Sequence, residues 1–186
     1  MSTESKPPSS GAAAPVDEQG FPADPLAGLN QKQRIEQFLL GSINLAQLQN
    51  ISHEELYEFA NVGMNFYKLG QFKKALPIFE GVVALEPTEA WFHLCLGLCF
   101  AQTGDDYRAI LEPDRSIFLN ESMTQSRVER AEILMKHGEL DLAITDLAKA
   151  VELDPSGKDP YAMRARVLLD SLRQIVDSKG TAKNGN

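Results

Sequence analysis

Three segments of the chain repeat one pattern: GMNFYKLGQFKKA at 63–75, GLCFAQTGDDYRA at 97–109 and AEILMKHGELDLA at 131–143. Each segment opens on a small residue, carries a large apolar residue at its fourth position and a glycine at its eighth, and closes on alanine. The interval from each segment to the next is 34 residues. A fixed period of this length is typical of a chain that folds as a stack of similar small units.

Each unit is predicted to be a helix, a tight turn at the glycine, and a second helix. The small residues at Gly63, Gly97 and Ala131 let the second helix approach the first closely. One such helix pair cannot bury its apolar face alone, whereas stacked pairs share a continuous core. No stretch of the chain needs to be a strand, so the predicted fold class is all-α.

The order of small, aromatic, glycine, alanine and proline positions resembles the tetratricopeptide repeat. The resemblance implies a superhelix of three helix-turn-helix repeats, at 56–89, 90–123 and 124–157, followed by a C-terminal capping helix. We therefore expect the repeats and the capping helix to occupy residues 52–178. An N-terminal helical segment is expected to precede them at 28–51.

The two ends of the chain are predicted to be disordered, at 1–27 and 179–186, because few large apolar side chains are available there to offset the ordering of the backbone. The N-terminal helix is expected from Gln31 to Gln49, bent or broken at Gly41 and Ser42. Two further helix starts carry strong local signals, namely a capping box at Ser52–Glu55 and an N-cap followed by proline at Asp159–Pro160. The final helix is predicted to end near Ser178.

Pro113 lies inside the predicted second helix of the second repeat and removes one backbone hydrogen-bond donor. Its counterparts in the other two repeats are Phe79 and Leu147. The sequence therefore predicts that this helix is short, kinked or interrupted.

The first helices of tetratricopeptide repeats line a concave groove, and by that resemblance the groove positions are the second, fifth, ninth and twelfth of each repeat. The resulting surface is mostly apolar, with aromatic and methionine side chains that suit a pliable binding site. The positions are Tyr57, Ala60, Met64 and Tyr67 in the first repeat, Trp91, Leu94, Leu98 and Ala101 in the second, and Gln125, Val128, Glu132 and Met135 in the third.

The sequence leaves two possible occupants of this groove undecided. An extended apolar peptide would gain roughly 1.5–3 kcal/mol for each buried anchor before the costs of association. Alternatively, the chain's own final helix folds back and fills the groove. Glu132 either selects a lysine, arginine or backbone N–H of a bound partner or is a plain rim charge. A carboxylate clamp is disfavoured, because Ala60 and Met64 occupy the clamp positions.

A closer resemblance is carried by FLLGSINLAQLQNIS at 38–52, YKLGQF at 67–72, WFHLCLGLC at 91–99 and AEILMKHGEL at 131–140. In order and spacing these segments are similar to the type III secretion chaperones of the low-calcium-response type, which serve membrane-inserting translocator proteins. The resemblance implies a cytoplasmic bacterial chaperone that binds an extended apolar segment of secreted translocator proteins in its groove. It also assigns Tyr67 and Phe72 to aromatic groove positions. A generic tetratricopeptide scaffold is the alternative.

A homodimer is implied by the same resemblance, formed through the N-terminal helical segment. An apolar stripe supports it, and the alternative is that this segment packs only onto its own first repeat. The stripe residues are Ile35, Phe38, Leu39, Leu45 and Leu48.

Composition and motifs argue against several other classes of function. The formal net charge is −8, from 18 Lys and Arg against 26 Asp and Glu, which argues against nucleic-acid and direct membrane binding. There is no phosphate-binding loop, nucleophile elbow or zinc-protease motif, so we expect neither an enzyme nor a cofactor. Cys95 and Cys99 are expected to be buried packing residues rather than metal ligands. No secretory signal is visible at the start of the sequence.

Overall fold

The computed structural model describes Leu26 and residues 28–183, with side chains as far as Gln174. Within these residues the chain forms nine α-helices and no strand. Their bounds are α1 Gln31–Leu39, α2 Leu45–Leu48, α3 His53–Lys68, α4 Phe72–Leu85, α5 Ala90–Thr103, α6 Asp106–Leu119, α7 Thr124–Lys136, α8 Leu140–Leu153 and α9 Pro160–Lys183. The all-α prediction is confirmed.

The chain divides into two compact units, one ending at Ile43 and the other beginning at Asn44. The first unit contains α1, which opens on a capping box between Asn30 and Gln33. The second unit contains α2 to α9. The predicted break between the N-terminal helices is confirmed, because α1 ends at Leu39 and α2 starts at Leu45. Gly41 in that interval has a φ of 72°, a left-handed backbone that ends a helix.

The second unit is a run of helix hairpins. Each helix from α3 to α9 packs on the next, and the first helix of each hairpin also packs on the first helix of the following one. The hairpins turn at Gly70, Gly104 and Gly138, whose φ angles of 70°, 84° and 80° lie in the left-handed region that favours glycine. The predicted turns at the repeating glycines are therefore confirmed.

The core has two parts. One lies between the first two hairpins around Phe79, Phe92 and Phe100, and the other lies between the third hairpin and α9 around Leu147 and Leu172. Ile110 of α6 borders both parts. Cys95 and Cys99 are buried packing residues, as predicted, and burial raises the pKa of the Cys99 thiol to about 12.

The helix that contains Pro113 corrects one prediction. α6 runs without interruption over 14 residues, the same length as α4 and α8. Pro113 is buried, and a Cβ atom added to Gly97 would overlap its ring. The close packing of the proline ring onto α5 compensates for the hydrogen bond that the proline cannot donate.

The two predicted helix starts at the ends of the repeat region are confirmed, whereas the final helix ends later than predicted. The capping box at Ser52 and Glu55 is confirmed, and so is the start of α9, where Asp159 accepts a hydrogen bond from the Tyr161 N–H at 2.7 Å. α9 continues past Ser178 to Lys183. Residues 1–25, Ala27 and residues 184–186 lie outside the described residues, so the predicted tails are described only in part.

An ion-pair network joins α6, α7 and α8, and its Arg130–Asp146 pair is largely buried. Arg130 of α7 donates to both carboxylate oxygens of Asp146, at 2.7 and 2.6 Å, and also to Asp114. Only 4% of the Asp146 side chain is exposed, and a second guanidinium, that of Arg127, lies 3.9 Å from it. Burial alone would lower the pKa of Arg130, and the hydrogen bonds and charges of the two aspartates outweigh that effect and raise it.

Candidate binding groove

The first helices of the three hairpins, α3, α5 and α7, lie side by side, and we call the surface that they share the groove. Its α3–α5 end is aromatic. Tyr57 and Trp91 stack with their ring centroids 5.5 Å apart and their planes 3° from parallel. Phe92 packs beneath them at 5.1 Å from Tyr57, and His53 approaches Tyr57 from the solvent side at 4.8 Å. Two helices therefore build one continuous aromatic wall.

Both tyrosines predicted for the groove are partly buried, which favours their neutral form. Burial raises the pKa of Tyr57, and the charge and hydrogen bond of Glu89 add to the effect. Burial also raises the pKa of Tyr67, followed by the charge of Glu129. Each phenol is thus an O–H donor beside an apolar ring, a combination common at binding surfaces.

Phe72 extends the groove from α3 onto α4. Its ring meets Tyr67 edge-on, with centroids 5.2 Å apart. Beside it an open cleft of about 470 Å³ lies between the α3–α4 turn and the end of α5. The cleft is lined by Gly70, Gln71, Phe72, Lys73, Lys74, Gln102 and Thr103.

The predicted groove residues divide into two layers. Ten of the thirteen are partly exposed and form the lining: Tyr57, Met64, Tyr67, Phe72, Trp91, Leu98, Ala101, Gln125, Glu132 and Met135. The other three, Ala60, Leu94 and Val128, are 0% exposed and lie beneath it. The fifth position of each repeat faces neighbouring helices, so a partner in the groove would rest above these three residues.

Glu132 is already paired within the chain. Arg164 of α9 reaches it with Nε and Nη2, each 2.6 Å from a carboxylate oxygen. Arg164 also lies 3.8 Å from Glu129, a groove residue that the predicted positions missed. The signal for Glu129 is its spacing: it lies four residues after Gln125 and three before Glu132, so by helical periodicity it shares a face with these predicted groove positions.

The capping helix leaves most of the groove open. α9 packs on α7 and α8, and over its described backbone it makes no close contact with α3 or α5. The described backbone of the final helix therefore does not cover the aromatic wall or the Phe72 cleft. Among the described residues no group of three or more His, Cys, Asp or Glu side chains is arranged to hold a metal ion. No helix of the described part is both long and apolar enough to span a bilayer.

Known proteins share both the repeat and the arrangement of helices. A sequence model of the tetratricopeptide repeat matches residues 124–156. The "Low calcium response locus protein H" of Yersinia pestis is 29% identical over 141 residues, covering 75% of this chain and 84% of that protein.

Two solved structures extend the comparison. A "T3SS complex from Aeromonas hydrophila" matches with a TM-score of 0.68 and 28% identity, covering 78% of this chain and 98% of that one. The "Type III Secretion Translocator Chaperone SycD" of Yersinia enterocolitica matches with a TM-score of 0.63 and 25% identity, covering 69% and 97%. SycD has also been solved as an alternative dimer and with a peptide of the translocator YopD.

Proposed function

We propose that this chain, a homologue of the low calcium response locus protein H, is a chaperone of type III secretion. It holds an extended apolar segment of a membrane-inserting translocator protein in the groove and keeps that client soluble before export. The observation that carries the proposal is the partly exposed aromatic wall of Tyr57 and Trp91, which the described backbone of the final helix does not contact.

The physics of the groove suits an unfolded client. Partly exposed aromatic and methionine side chains give an adaptable apolar surface, and exposed apolar surfaces of this kind usually mark partner sites. Three anchors of about 1.5–3 kcal/mol each give about 4.5–9 kcal/mol before the costs of association, so a short peptide is expected to bind no more tightly than about micromolar. Such an affinity holds a client and still allows its release.

The wider role follows from the same proposal. The chain acts as a binding protein in the bacterial cytoplasm, without catalysis, and needs no cofactor. Its repeats at 52–178 bind the client, and the segment at 28–51 joins two copies. SycD, the chaperone with the same fold, is known as a dimer and binds a translocator peptide.

Trp91→Ala is expected to weaken client binding about tenfold, since the substitution removes one stacked anchor, worth about 1.4 kcal/mol or more. The measurement is co-purification of a co-expressed translocator, followed by titration with its tiled peptides. Phe118→Ala is the matched control, because that aromatic ring is 83% exposed on α6 and lies outside the groove. A generic scaffold for folded partners would lose no binding with Trp91→Ala, and the chaperone proposal would then fail.

The proposed dimer gives a separate test. Ile35, Phe38 and Leu39 of α1 are 42%, 36% and 76% exposed, whereas Leu45 and Leu48 of α2 are half-buried. Phe38→Glu is expected to shift the protein from dimer to monomer at tens of micromolar in multi-angle light scattering, because it places a charge in an apolar contact. Leu142→Glu, at a 57% exposed position of α8, should leave the mass unchanged. A monomeric wild-type protein would contradict the dimer.

A further inference from the structure

We propose that Glu129 is a specificity-determining residue of the groove and selects a cationic residue, lysine or arginine, in the bound segment. The inference rests on the proposed function and deepens it, since it names a chemical feature of the client. The groove then has an aromatic end on α3 and α5 and a cation-selective end on α7.

Glu129 is a largely buried carboxylate with incomplete partners. Its side chain is only 18% exposed, and among the described residues it accepts no hydrogen bond. Within the part of the chain that the structure describes, its one ion-pair partner is Nη1 of Arg164 at 3.8 Å, beyond hydrogen-bonding distance. The same guanidinium donates a hydrogen bond to Oε2 of Glu132 at 2.6 Å and lies 2.6 Å from Oε1, which has no hydrogen-bond partner in the described residues. A partly buried carboxylate that accepts no hydrogen bond is stabilised by a donor that a ligand brings.

The surroundings place Glu129 on the groove rather than behind it. Its charge helps to raise the pKa of Tyr67 on α3 and of Tyr161 on α9, in both cases after the effect of burial. Glu129 lies three residues before Glu132 on α7, so the two carboxylates share one face of that helix, and both lie close to Arg164 of α9. Glu132 belongs to the lining described above, so a segment that passes over Glu132 also passes beside Glu129.

The charges around Glu129 determine whether it selects a positively or a negatively charged residue of the client. Burial and the charge of Glu132 raise the pKa of Glu129, and Arg164 and Lys136 act in the opposite direction. Two partly buried carboxylates thus share one bound guanidinium, while Lys136 is exposed and screened by solvent. A client cation would complete the second ion pair, whereas a client carboxylate would be repelled. Charge-assisted hydrogen bonds are about twice as strong as neutral ones, so the preference is large enough to measure.

The test uses an array of twelve-residue peptides with three fixed leucines and one variable position that carries lysine, glutamine or glutamate. Binding of each peptide is measured by fluorescence anisotropy to the full chain and to Glu129→Gln. The substitution keeps the shape of the side chain and removes its charge. Glu139→Gln is the matched control, since Glu139 is an exposed residue at the start of α8 with no side-chain capping bond.

The full chain is expected to bind the lysine peptide about tenfold more tightly than the glutamine peptide at one position of the array. Glu129→Gln should abolish that ratio, and Glu139→Gln should keep it. Arg164→Gln should increase the ratio, because it removes the internal competitor. A lysine-to-glutamine ratio that is unchanged in Glu129→Gln overturns the inference. If neither the array nor tiled translocator peptides bind the full chain, the proposed function itself fails.

Discussion

Asp146→Ala is expected to lower the free energy of unfolding by about 3–5 kcal/mol, the largest loss that we anticipate for a single substitution. Asp146 is buried against two arginines, and Arg130 spends two of its N–H groups on the aspartate's two oxygens. Removing the carboxylate leaves one guanidinium half-paired and another, that of Arg127, without its neighbouring charge. Urea denaturation followed by circular dichroism measures the change.

Two further variants separate charge from packing in this network. Asp114→Ala removes the other aspartate bound to Arg130. Because the Asp114 side chain is 60% exposed, the substitution should lower the free energy of unfolding by less than about 1 kcal/mol. The double substitution Asp146→Leu with Arg130→Met should recover much of the stability lost in Asp146→Ala, because apolar residues of similar volume can replace a buried pair. A loss below about 1 kcal/mol in Asp146→Ala would show that the network is solvated.

Gly97→Ala is expected to destabilise the protein by about 3 kcal/mol, at the upper end of the usual cost of overpacking. The added Cβ atom would overlap Cδ of Pro113 and lie 2.8 Å from its Cγ. The proline ring is rigid and belongs to a buried part of α6, so α5 and α6 must separate for the methyl group to fit.

Gly81→Ala is the matched control for this second prediction, because a Cβ atom there meets nothing within 4 Å. Gly81 lies inside α4, so alanine should stabilise the protein by about 0.5–1 kcal/mol through helix propensity. Thermal unfolding monitored by circular dichroism compares the two variants. Equal midpoints for Gly97→Ala and the wild type would contradict the close packing of α5 on α6.

Much of the fold could be predicted from the sequence because its determinants are local. The glycines at 70, 104 and 138 define turns by their left-handed backbone, and the capping box at Ser52 marks the start of α3 through contacts within one helical turn. Pro113 could not be interpreted in the same way. Its local effect disfavours a helix. The small residue at Gly97 predicted a close approach of the two helices, but only the packed structure shows that the Pro113 ring fills the space beside it.

The candidate site could be predicted to a similar extent. The part of the prediction that was incomplete depended on packing between helices, as it did for Pro113. Tyr57, Trp91 and Tyr67 lie where the repeat pattern places them, since the pattern records which face of a helix points to the groove. Whether a residue on that face lines the surface or lies beneath it depends on neighbouring helices, as the full burial of Leu94 shows. The pairing of Glu132 with Arg164 joins positions 32 residues apart, and the repeat pattern does not indicate it.

The capping helix also sets where the array of repeats stops. α9 packs on α7 and α8, in the place that the first helix of a fourth repeat would take. Because each repeat buries its apolar face only against a neighbour, a terminal element must cover the face that has no neighbour. A fourth hairpin inserted after Leu153 would therefore have to displace α9, so the array can be lengthened only if the cap is moved to the new end.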